Sequence, residues 1–505
     1  MSWAAAIGWA CVSATDTLSR PAESGQRTIP VRNPRTGKVD FDLPVTPPEE
    51  IRLKAERLRQ NQRAWAAQPL EARLGVMQRW LGEVAKRANA IAEADAEDTG
   101  GCHTSYLQGF ITMANIKGWL EDAADALERA SFHGPSRAMP QVEVRSQLVP
   151  YPLIGVISPW NAPMMLALLD AVPALFAGSA VLLKPSEVTP RFIEPLFESV
   201  AAVPELADVF DYVMGDGEAG KALIDQVDLV CFTGSVPTGR KIAVHCAERL
   251  IPCFLELGGK DPAIVTASAD LDRATTSVLR GAVHANGMVC FSVERIYVAD
   301  AIHDAFVQML VEKAQKVRLN SDDPKAGHIH PFTFAPQAQI VERHLADAIA
   351  KGATILTGGK VEEINGGLYM RPTVLTGVTH DMLVMQEETF GPIMPVMRYT
   401  DTAEAIRLAN DTIFGLTASV IAGSEEEALP IASQVNAGAV FIQDTFLTFG
   451  KNRTIGTNSF GASGLGGSRT GPESILRFVR RKALMTQHGP VADIMDDHHL
   501  GKGAA

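Results

Sequence analysis

Cysteine is scarce in this sequence: six occur among 505 residues, at positions 11, 102, 231, 246, 253 and 290, and no two are spaced CxxC. This spacing excludes a small disulfide-stapled protein and is typical of a reducing compartment. The twelve histidines are scattered as well and do not show the spacing of zinc ligands. We therefore predict no metal site.

Basic residues are also in the minority. Lys and Arg total 46 against 58 Asp and Glu, so the net charge is −12. An acidic surface repels phosphate backbones, and nucleic acid is therefore not an expected partner. The N-terminal stretch MSWAAAIGWACVSA has no Lys or Arg, whereas a secretory signal begins with basic residues. We therefore predict a cytoplasmic location.

Long apolar runs are rare. One stretch long enough to span a bilayer, residues 164–183, contains Asp170, Pro173 and Gly178. A buried helix, a turn and a buried strand fit this pattern better than a membrane span. We therefore expect no membrane partner.

The length of the chain suggests two or three domains, because 505 residues exceed what one core holds. Residues 47–99 and 103–130 carry apolar side chains at helical spacing. After Pro150, short β-branched runs such as LIGVISP and DLVCFTG alternate with helical segments, and a second such series follows residue 290. This alternation predicts parallel sheets covered by helices, which is an α/β fold.

Two of the runs in the first series are followed by residues suited to a nucleotide. Lys184 and Glu187 follow one run, and Gly234 and Ser235 follow another. Ligands bind such sheets at the carboxyl ends of the strands. A lysine and a glycine turn before a helix can hold a pyrophosphate, and a carboxylate can accept hydrogen bonds from ribose hydroxyls. Dinucleotide binding is thus one interpretation. Because neither segment contains a GxGxxG motif, the other interpretation is that they are ordinary turns.

Two further residues could carry chemistry. Glu256 interrupts the apolar run FLELGG, where a partly buried carboxylate can act as a general base, and a strand-edge glutamate that faces water fits the pattern equally. Cys290 lies in AVHANGMVCFSVER, and a thiol is a nucleophile only as the thiolate. Most free cysteines are small core residues instead. His284, six residues upstream, leaves a Cys/His hydrolase open as well.

Six motifs in their order along the chain resemble the aldehyde dehydrogenase superfamily. They are PWNAP (159–163), KPSE (184–187), FTGS (232–235), LELGGK (255–260), NGMVC (286–290) and EETFGP (387–392). The resemblance extends over roughly residues 28–485. It favours the nucleophile interpretation of the cysteine in the fifth motif.

The resemblance implies a mechanism. Cys290 would attack an aldehyde to give a thiohemiacetal and later a thioester, while the Asn161 amide and the Cys290 backbone N–H form the oxyanion hole. Glu256 would activate the water that hydrolyses the thioester. Members that pass the acyl group to coenzyme A need no such base, so a coenzyme A-acylating enzyme is the weaker alternative.

The resemblance also implies a nicotinamide dinucleotide, NAD or NADP. Glu187 would meet the 2′-phosphate of NADP with like charge, which favours NAD. The residues expected to bind the cofactor are Ile157, Ser158, Pro159, Trp160, Lys184, Glu187, Gly217, Gly234, Ser235, Leu257, Glu388 and Phe390.

The expected substrate is a small aldehyde. Its pocket is predicted, by position relative to the motifs, to contain Met165, Phe291, Phe446 and Phe460. Aromatic rings favour apolar partners, so we expect an aromatic or medium aliphatic aldehyde, with a semialdehyde as the alternative. The segment 440–471 departs from the family pattern, as does Met288, where the family usually has glutamine.

The implied fold is α/β, with two Rossmann-like doubly wound domains and a small β oligomerisation flap. The NAD-binding domain would comprise residues 1–130 and 151–257, and the catalytic domain residues 258–440. The flap and C-terminal strand would comprise 131–150 and 470–490, with a tail at 491–505. The implied assembly is a homodimer or homotetramer.

Overall fold

The computed structural model describes residues 25–491 and residue 494. The predictions for the N-terminal stretch MSWAAAIGWACVSA, and for nearly all of the tail after residue 491, lie outside the described residues. No helix in the described part is long and apolar enough to cross a membrane. The apolar run 164–183 folds as a buried helix and a buried strand, separated by Gly178 at φ 100°.

The described residues form twenty strands. In chain order they are β1 Thr28–Arg32, β2 Val39–Pro44, β3 His133–Pro135, β4 Val142–Pro150, β5 Leu153–Ile157, β6 Ala180–Lys184, β7 Phe210–Tyr212, β8 Leu229–Thr233, β9 Cys253–Glu256, β10 Asp261–Val265, β11 Val293–Ala299, β12 Thr354–Thr357, β13 Val361–Ile364, β14 Gly367–Met370, β15 Thr373–Thr376, β16 Ile393–Tyr399, β17 Thr417–Ile421, β18 Ala439–Ile442, β19 Gly464–Leu465 and β20 Val479–Gln487.

The same residues form fourteen α-helices. In chain order they are α1 Pro48–Ala67, α2 Leu70–Thr99, α3 Cys102–Arg129, α4 Pro163–Ala177, α5 Ile193–Ala201, α6 Pro204–Ala207, α7 Gly217–Ile224, α8 Val236–Glu248, α9 Leu271–Val283, α10 His303–Ala314, α11 Pro336–Ala350, α12 Leu383–Gln386, α13 Thr402–Asn410 and α14 Glu425–Ala432. Helices α1 to α3 occupy the two segments in which the sequence shows helical spacing.

The first large sheet has six strands in the order β19-β9-β8-β5-β6-β7. All its pairings are parallel except that of β19 with β9. From β5 the chain moves outward through β6 and β7, and then returns to the other side of β5 with β8. Such a reversal leaves a crevice at the carboxyl ends of β5 and β8, where doubly wound sheets bind ligands.

The second large sheet has seven strands in the order β12-β15-β16-β11-β10-β17-β18. Only the pairing of β12 with β15 is antiparallel. Strands β10, β11 and β17 are fully buried, which explains their unbroken apolar character. Two mainly parallel, doubly wound sheets confirm the predicted fold class.

A separate three-stranded sheet joins β3, β4 and β20 in antiparallel register. It coincides with the segments predicted to form the flap. One connection was not predicted. Strand β19 belongs to the chain after residue 440, yet it pairs with β9 of the first sheet, so Gly464 lies opposite Glu256.

Candidate active site

A large cavity of about 770 Å³ opens at the carboxyl ends of β5, β6 and β8. The crevice predicted by the strand order therefore exists. Twelve of the residues that line it are those expected from sequence to bind a dinucleotide: Ile157, Ser158, Pro159, Trp160, Lys184, Glu187, Gly217, Gly234, Ser235, Leu257, Glu388 and Phe390.

A buried lysine and a carboxylate lie together in this cavity. Lys184 is the last residue of β6, and its Nζ donates to Glu187 Oε2 at 3.3 Å and to the carbonyl of Pro185 at 3.1 Å. Burial lowers the pKa of Lys184, and the negative charge of Glu187 opposes that shift. The pair offers both a donor and an acceptor to vicinal hydroxyl groups.

The N-terminus of α8 also faces the large cavity. Ser235 precedes this thirteen-residue helix without capping it, because its hydroxyl donates to Thr238 Oγ1 at 3.1 Å instead. The first backbone N–H groups of the helix are thus available to an anion. Gly234 must be a glycine, since a Cβ there would clash with the ring of Phe232.

Ser158 supplies a further polar group to the cavity wall. Its hydroxyl is buried and has no hydrogen-bond partner within the described residues. A buried hydroxyl without a partner is costly, and a bound polar ligand would remove that cost. The donor set at this site fits a dinucleotide.

The turn that carries Glu388 and Phe390 is held by a carboxylate that sequence reasoning missed. Glu294, on β11, accepts hydrogen bonds from the backbone N–H groups of Thr389 and Phe390, each at 2.7 Å. It also pairs with the buried ammonium of Lys260 at 2.7 Å. Phe390 has φ 51°, a strained conformation for a residue with a side chain. The hydrogen bonds from the backbone N–H groups of Thr389 and Phe390 to Glu294 hold Phe390 in that conformation.

Glu388 lies at the back of the large cavity. Burial, together with the negative charge of Glu294, raises the pKa of Glu388 to about 8, although the backbone N–H of Gly259 donates to it at 3.1 Å. A Cβ on Gly258 would clash with this carboxylate, so the glycine pair of LELGGK permits a close approach.

A second, smaller cavity of about 340 Å³ lies on the other side of Cys290. Among the described residues, only Cys290 and Leu166 belong to the linings of both cavities. The thiol therefore lies where a ligand in the large cavity would meet a ligand in the small one. Cys290 is therefore not sealed in a core, and this placement supports the nucleophile interpretation.

The chain reaches Cys290 through an unusual turn. Three consecutive residues, Ala285, Asn286 and Gly287, have φ of 51°, 59° and 70°. The Asn161 amide Nδ2 donates to the carbonyl of Met288 at 2.9 Å, which ties the loop after β5 to this turn. An amide nitrogen carries two N–H groups, and this bond uses one of them.

The thiol is protonated at rest. Burial raises the pKa of Cys290 to about 12, helped by the negative charges of Asp261, Glu388 and Glu256 and opposed by Arg469. A reactive cysteine here needs a base or a bound cation to form its thiolate.

Glu256 is the last residue of β9 and lines the small cavity. Its Oε2 accepts a hydrogen bond from Ser459 Oγ at 2.7 Å. Ser459 comes from the segment whose strand β19 pairs with β9, so that pairing brings the hydroxyl to the carboxylate. The carboxylate and Cys290 share one cavity, which is the arrangement a general base requires.

The small cavity contains half of the predicted substrate pocket. Met165 and Phe291 line it, whereas Phe446 and Phe460 line neither cavity. Phe446 packs behind Phe291, with ring centroids 5.5 Å apart, and Phe460 is 40 % exposed. Two other residues of segment 440–471, Phe449 and Lys451, do line the small cavity.

His284 contacts an aromatic ring rather than the thiol. Its centroid lies 4.7 Å from that of Phe446, and no hydrogen bond joins it to Cys290 among the described residues. Burial, and next the charge of Arg280, lower the pKa of His284 to about 4, so the ring is neutral. The geometry does not support a Cys/His hydrolase. The described residues contain no group of three or more His, Cys, Asp or Glu placed to hold a metal ion.

Comparison with known proteins yields a family model, described as aldehyde dehydrogenase family, that matches residues 21–484. A Mycolicibacterium smegmatis protein named "Putative succinate-semialdehyde dehydrogenase (NADP+)" is 35 % identical over 468 residues, or 91 % of this chain and 89 % of that one.

Solved structures are similar as well. The Anabaena variabilis structure titled "Putative Aldehyde Dehydrogenase PutA" has a TM-score of 0.90 at 46 % identity, and covers 93 % of this chain and 99 % of its own. Betaine aldehyde dehydrogenase from Staphylococcus aureus in complex with NAD+ has a TM-score of 0.86 at 28 % identity, covering 93 % and 94 %.

Proposed function

Because the chain belongs to the aldehyde dehydrogenase family, whose model matches residues 21–484, we propose that it oxidises an aldehyde to the carboxylic acid through a covalent intermediate on Cys290. The observation that carries the proposal is the position of that sulfur between the two cavities. An aldehyde in the small cavity and a nicotinamide in the large one would both reach it.

The first step is loss of the Cys290 proton, for which Glu256 in the same cavity would be the acceptor, followed by addition of the thiolate to the carbonyl carbon. The S–C bond forms as the C=O electron pair moves to oxygen, giving a thiohemiacetal. The Asn161 amide, oriented by the carbonyl of Met288, and the backbone N–H of Cys290 would stabilise the oxyanion. A bound nicotinamide would supply the acceptor for a hydride from that carbon, and loss of the hydride would leave a thioester on Cys290.

The second step is hydrolysis of that thioester. Glu256 would take a proton from water, whose oxygen attacks the acyl carbon and releases the carboxylic acid and the thiol. Its hydrogen bond from Ser459 keeps the carboxylate directed into the small cavity. The presence of this base favours hydrolysis over transfer to coenzyme A.

The cofactor is a pyridine nucleotide, and we expect NAD rather than NADP. Lys184 and Glu187 would bind the adenosine ribose hydroxyls, and the N-terminus of α8 the pyrophosphate. Glu187 supports NAD because a 2′-phosphate would place negative charge beside its carboxylate. The M. smegmatis relative bears NADP in its name, so the preference has to be measured.

Assembly and location stay predictions. Strand β20 pairs with β4 over nine residues, and Leu484 and Met485 on it are exposed. These exposed apolar side chains support association through the three-stranded sheet, in a homodimer or homotetramer. A cytoplasmic location is likewise proposed from the sequence alone.

An NADH-release screen tests the proposed function. Aromatic, aliphatic and carboxylate-bearing aldehydes would be assayed with NAD and with NADP, without coenzyme A. We expect reduction of the dinucleotide with at least one aldehyde, and the matching acid as product. Absence of reduction with every aldehyde would instead support a non-catalytic protein on this fold, and reduction only after adding coenzyme A would support an acylating enzyme.

A further inference from the structure

Three cationic side chains line the small cavity: Lys451, Arg453 and Arg469. The two arginines already have carboxylate partners. Arg453 pairs with Glu121 and Asp122 at 2.8 Å, and Arg469 pairs with the buried Asp170. Their charges are therefore compensated inside the protein.

Lys451 differs from both arginines. Its Nζ donates to the hydroxyl of Thr457 at 2.7 Å, and no carboxylate lies within ion-pairing distance of it among the described residues. Burial lowers the pKa of Lys451, and the negative charges of Glu256, of Cys290 when it is ionised, and of Asp261 oppose that shift. This is a half-buried ammonium in the same cavity as the candidate nucleophile and base.

An ammonium without an ionic partner in a partly apolar cavity is costly, and an anion that enters the cavity reduces the cost. Phe291 and Phe449 supply apolar wall in the same cavity. The lining thus suits a short chain with an apolar middle and a charged end.

We propose that Lys451 binds a carboxylate at the far end of the substrate, so that the enzyme acts on aldehydes that carry a terminal carboxylate. The inference rests on the proposed function. A carboxylate fits better than a phosphate because one ammonium balances one charge, whereas the additional charge of a phosphate would face Glu256 across the cavity. Lys451 would then select the substrate and take no part in bond making.

The test compares wild type with Lys451→Met on two matched series. One series is 4-oxobutanoate, 5-oxopentanoate and 6-oxohexanoate; the other is butanal, pentanal and hexanal. For the best acid of the first series we expect the variant to raise KM about 10- to 100-fold, the range for losing a charge-assisted hydrogen bond, with kcat within threefold. For the neutral aldehydes both constants should stay within threefold.

Three controls separate this role from others. Lys451→Arg should retain the preference for the charged series. Lys360→Met, which replaces an exposed lysine between β12 and β13, should behave as wild type. Iodoacetamide should alkylate Cys290 no more than about threefold more slowly in Lys451→Met than in wild type, because the ammonium influences the thiolate through its charge alone.

Several outcomes would overturn the inference. Equal losses on both series, or alkylation of Cys290 slowed by more than about tenfold, would mean that Lys451 acts on the thiol or on Glu256. A wild type that prefers no carboxylate-bearing aldehyde would exclude the anchor while leaving the proposed function intact. Absence of NADH from both series would exclude the inference, and it would refute the proposed function as well only if aromatic aldehydes also gave no NADH.

Discussion

Replacing Glu294 by Gln removes the charge that holds the turn bearing Glu388 and Phe390. The carboxylate of Glu294 lies 2.7 Å from Lys260 Nζ, and the two side chains are only 3 % and 0 % exposed. Removing one partner of a buried ion pair leaves the other charge uncompensated, which costs about 3–5 kcal/mol. We expect the free energy of unfolding of Glu294→Gln, measured by denaturant titration at pH 7, to fall by that amount.

The loss of stability should depend on pH with a definite sign. Burial lowers the pKa of Lys260, and the negative charge of Glu294 opposes that shift. Without the carboxylate the folded-state pKa falls further below its unfolded value, so the unfolded chain holds the proton more tightly. Stability then rises with pH in this window, and the difference between variant and wild type should shrink from pH 7 to pH 10.

The same variant should also bind the dinucleotide more weakly. We expect KM for NAD to rise about tenfold, or 1.4 kcal/mol, since the strained turn at Phe390 loses its charged acceptor. The matched control is Asp300→Asn, which removes an exposed ion pair to Arg398 just beyond the same strand and should change neither property. A Glu294→Gln variant as stable as wild type, with an unchanged KM for NAD, would refute the reasoning.

Three further predictions concern individual site residues. Asn161→Ala should lower kcat by about 10²–10³ with little change in KM, the usual cost of losing an oxyanion donor; a kcat within threefold would exclude that role. Alkylation of Cys290 by iodoacetamide, followed by mass spectrometry, should accelerate about tenfold per pH unit between pH 7 and 10, because a thiol with a pKa of about 12 is still titrating there. A plateau below pH 9 would contradict this. Glu187→Ser should shift the ratio of kcat/KM for NAD over NADP towards NADP by at least tenfold, and an unchanged ratio would remove Glu187 from cofactor selection.

Much of the site could be predicted from sequence because its residues lie at strand ends. Lys184 ends β6 and Glu256 ends β9, and parallel strands bring their carboxyl ends to one edge. Short motifs directly after such strands therefore mark residues that meet in space. The helices α1 to α3 and the alternation of strands and helices were readable for a similar reason, since apolar spacing is a local property.

The residues that sequence reasoning missed act through distant partners. Glu294 lies within the buried run VERIYVA, where a charge is unexpected, yet its partners Lys260 and Thr389 are 34 and 95 positions away. Only the fold shows that the three meet. The adjacent charged residues Glu294 and Arg295 in a buried strand were the one available signal.

The substrate side was predicted less well because residues 440–471 have little regular structure. Phe446 and Phe460 were expected in the pocket, but neither lines the small cavity. Phe446 packs behind Phe291, and Phe460 is 40 % exposed. Lys451 lies in a single 3₁₀ turn, and no periodicity indicates which way such a side chain points. Its place in the cavity follows from the packing of the whole segment.

The most direct test of the central claim is intact-mass spectrometry of Glu256→Gln mixed with an aldehyde substrate and NAD. We predict one NADH per active site in a single burst, and a protein mass increased by the acyl group, located on Cys290 by peptide mapping and absent from a Cys290→Ala, Glu256→Gln double variant. Steady turnover at the wild-type rate, or a burst without any acyl group on Cys290, would contradict the account.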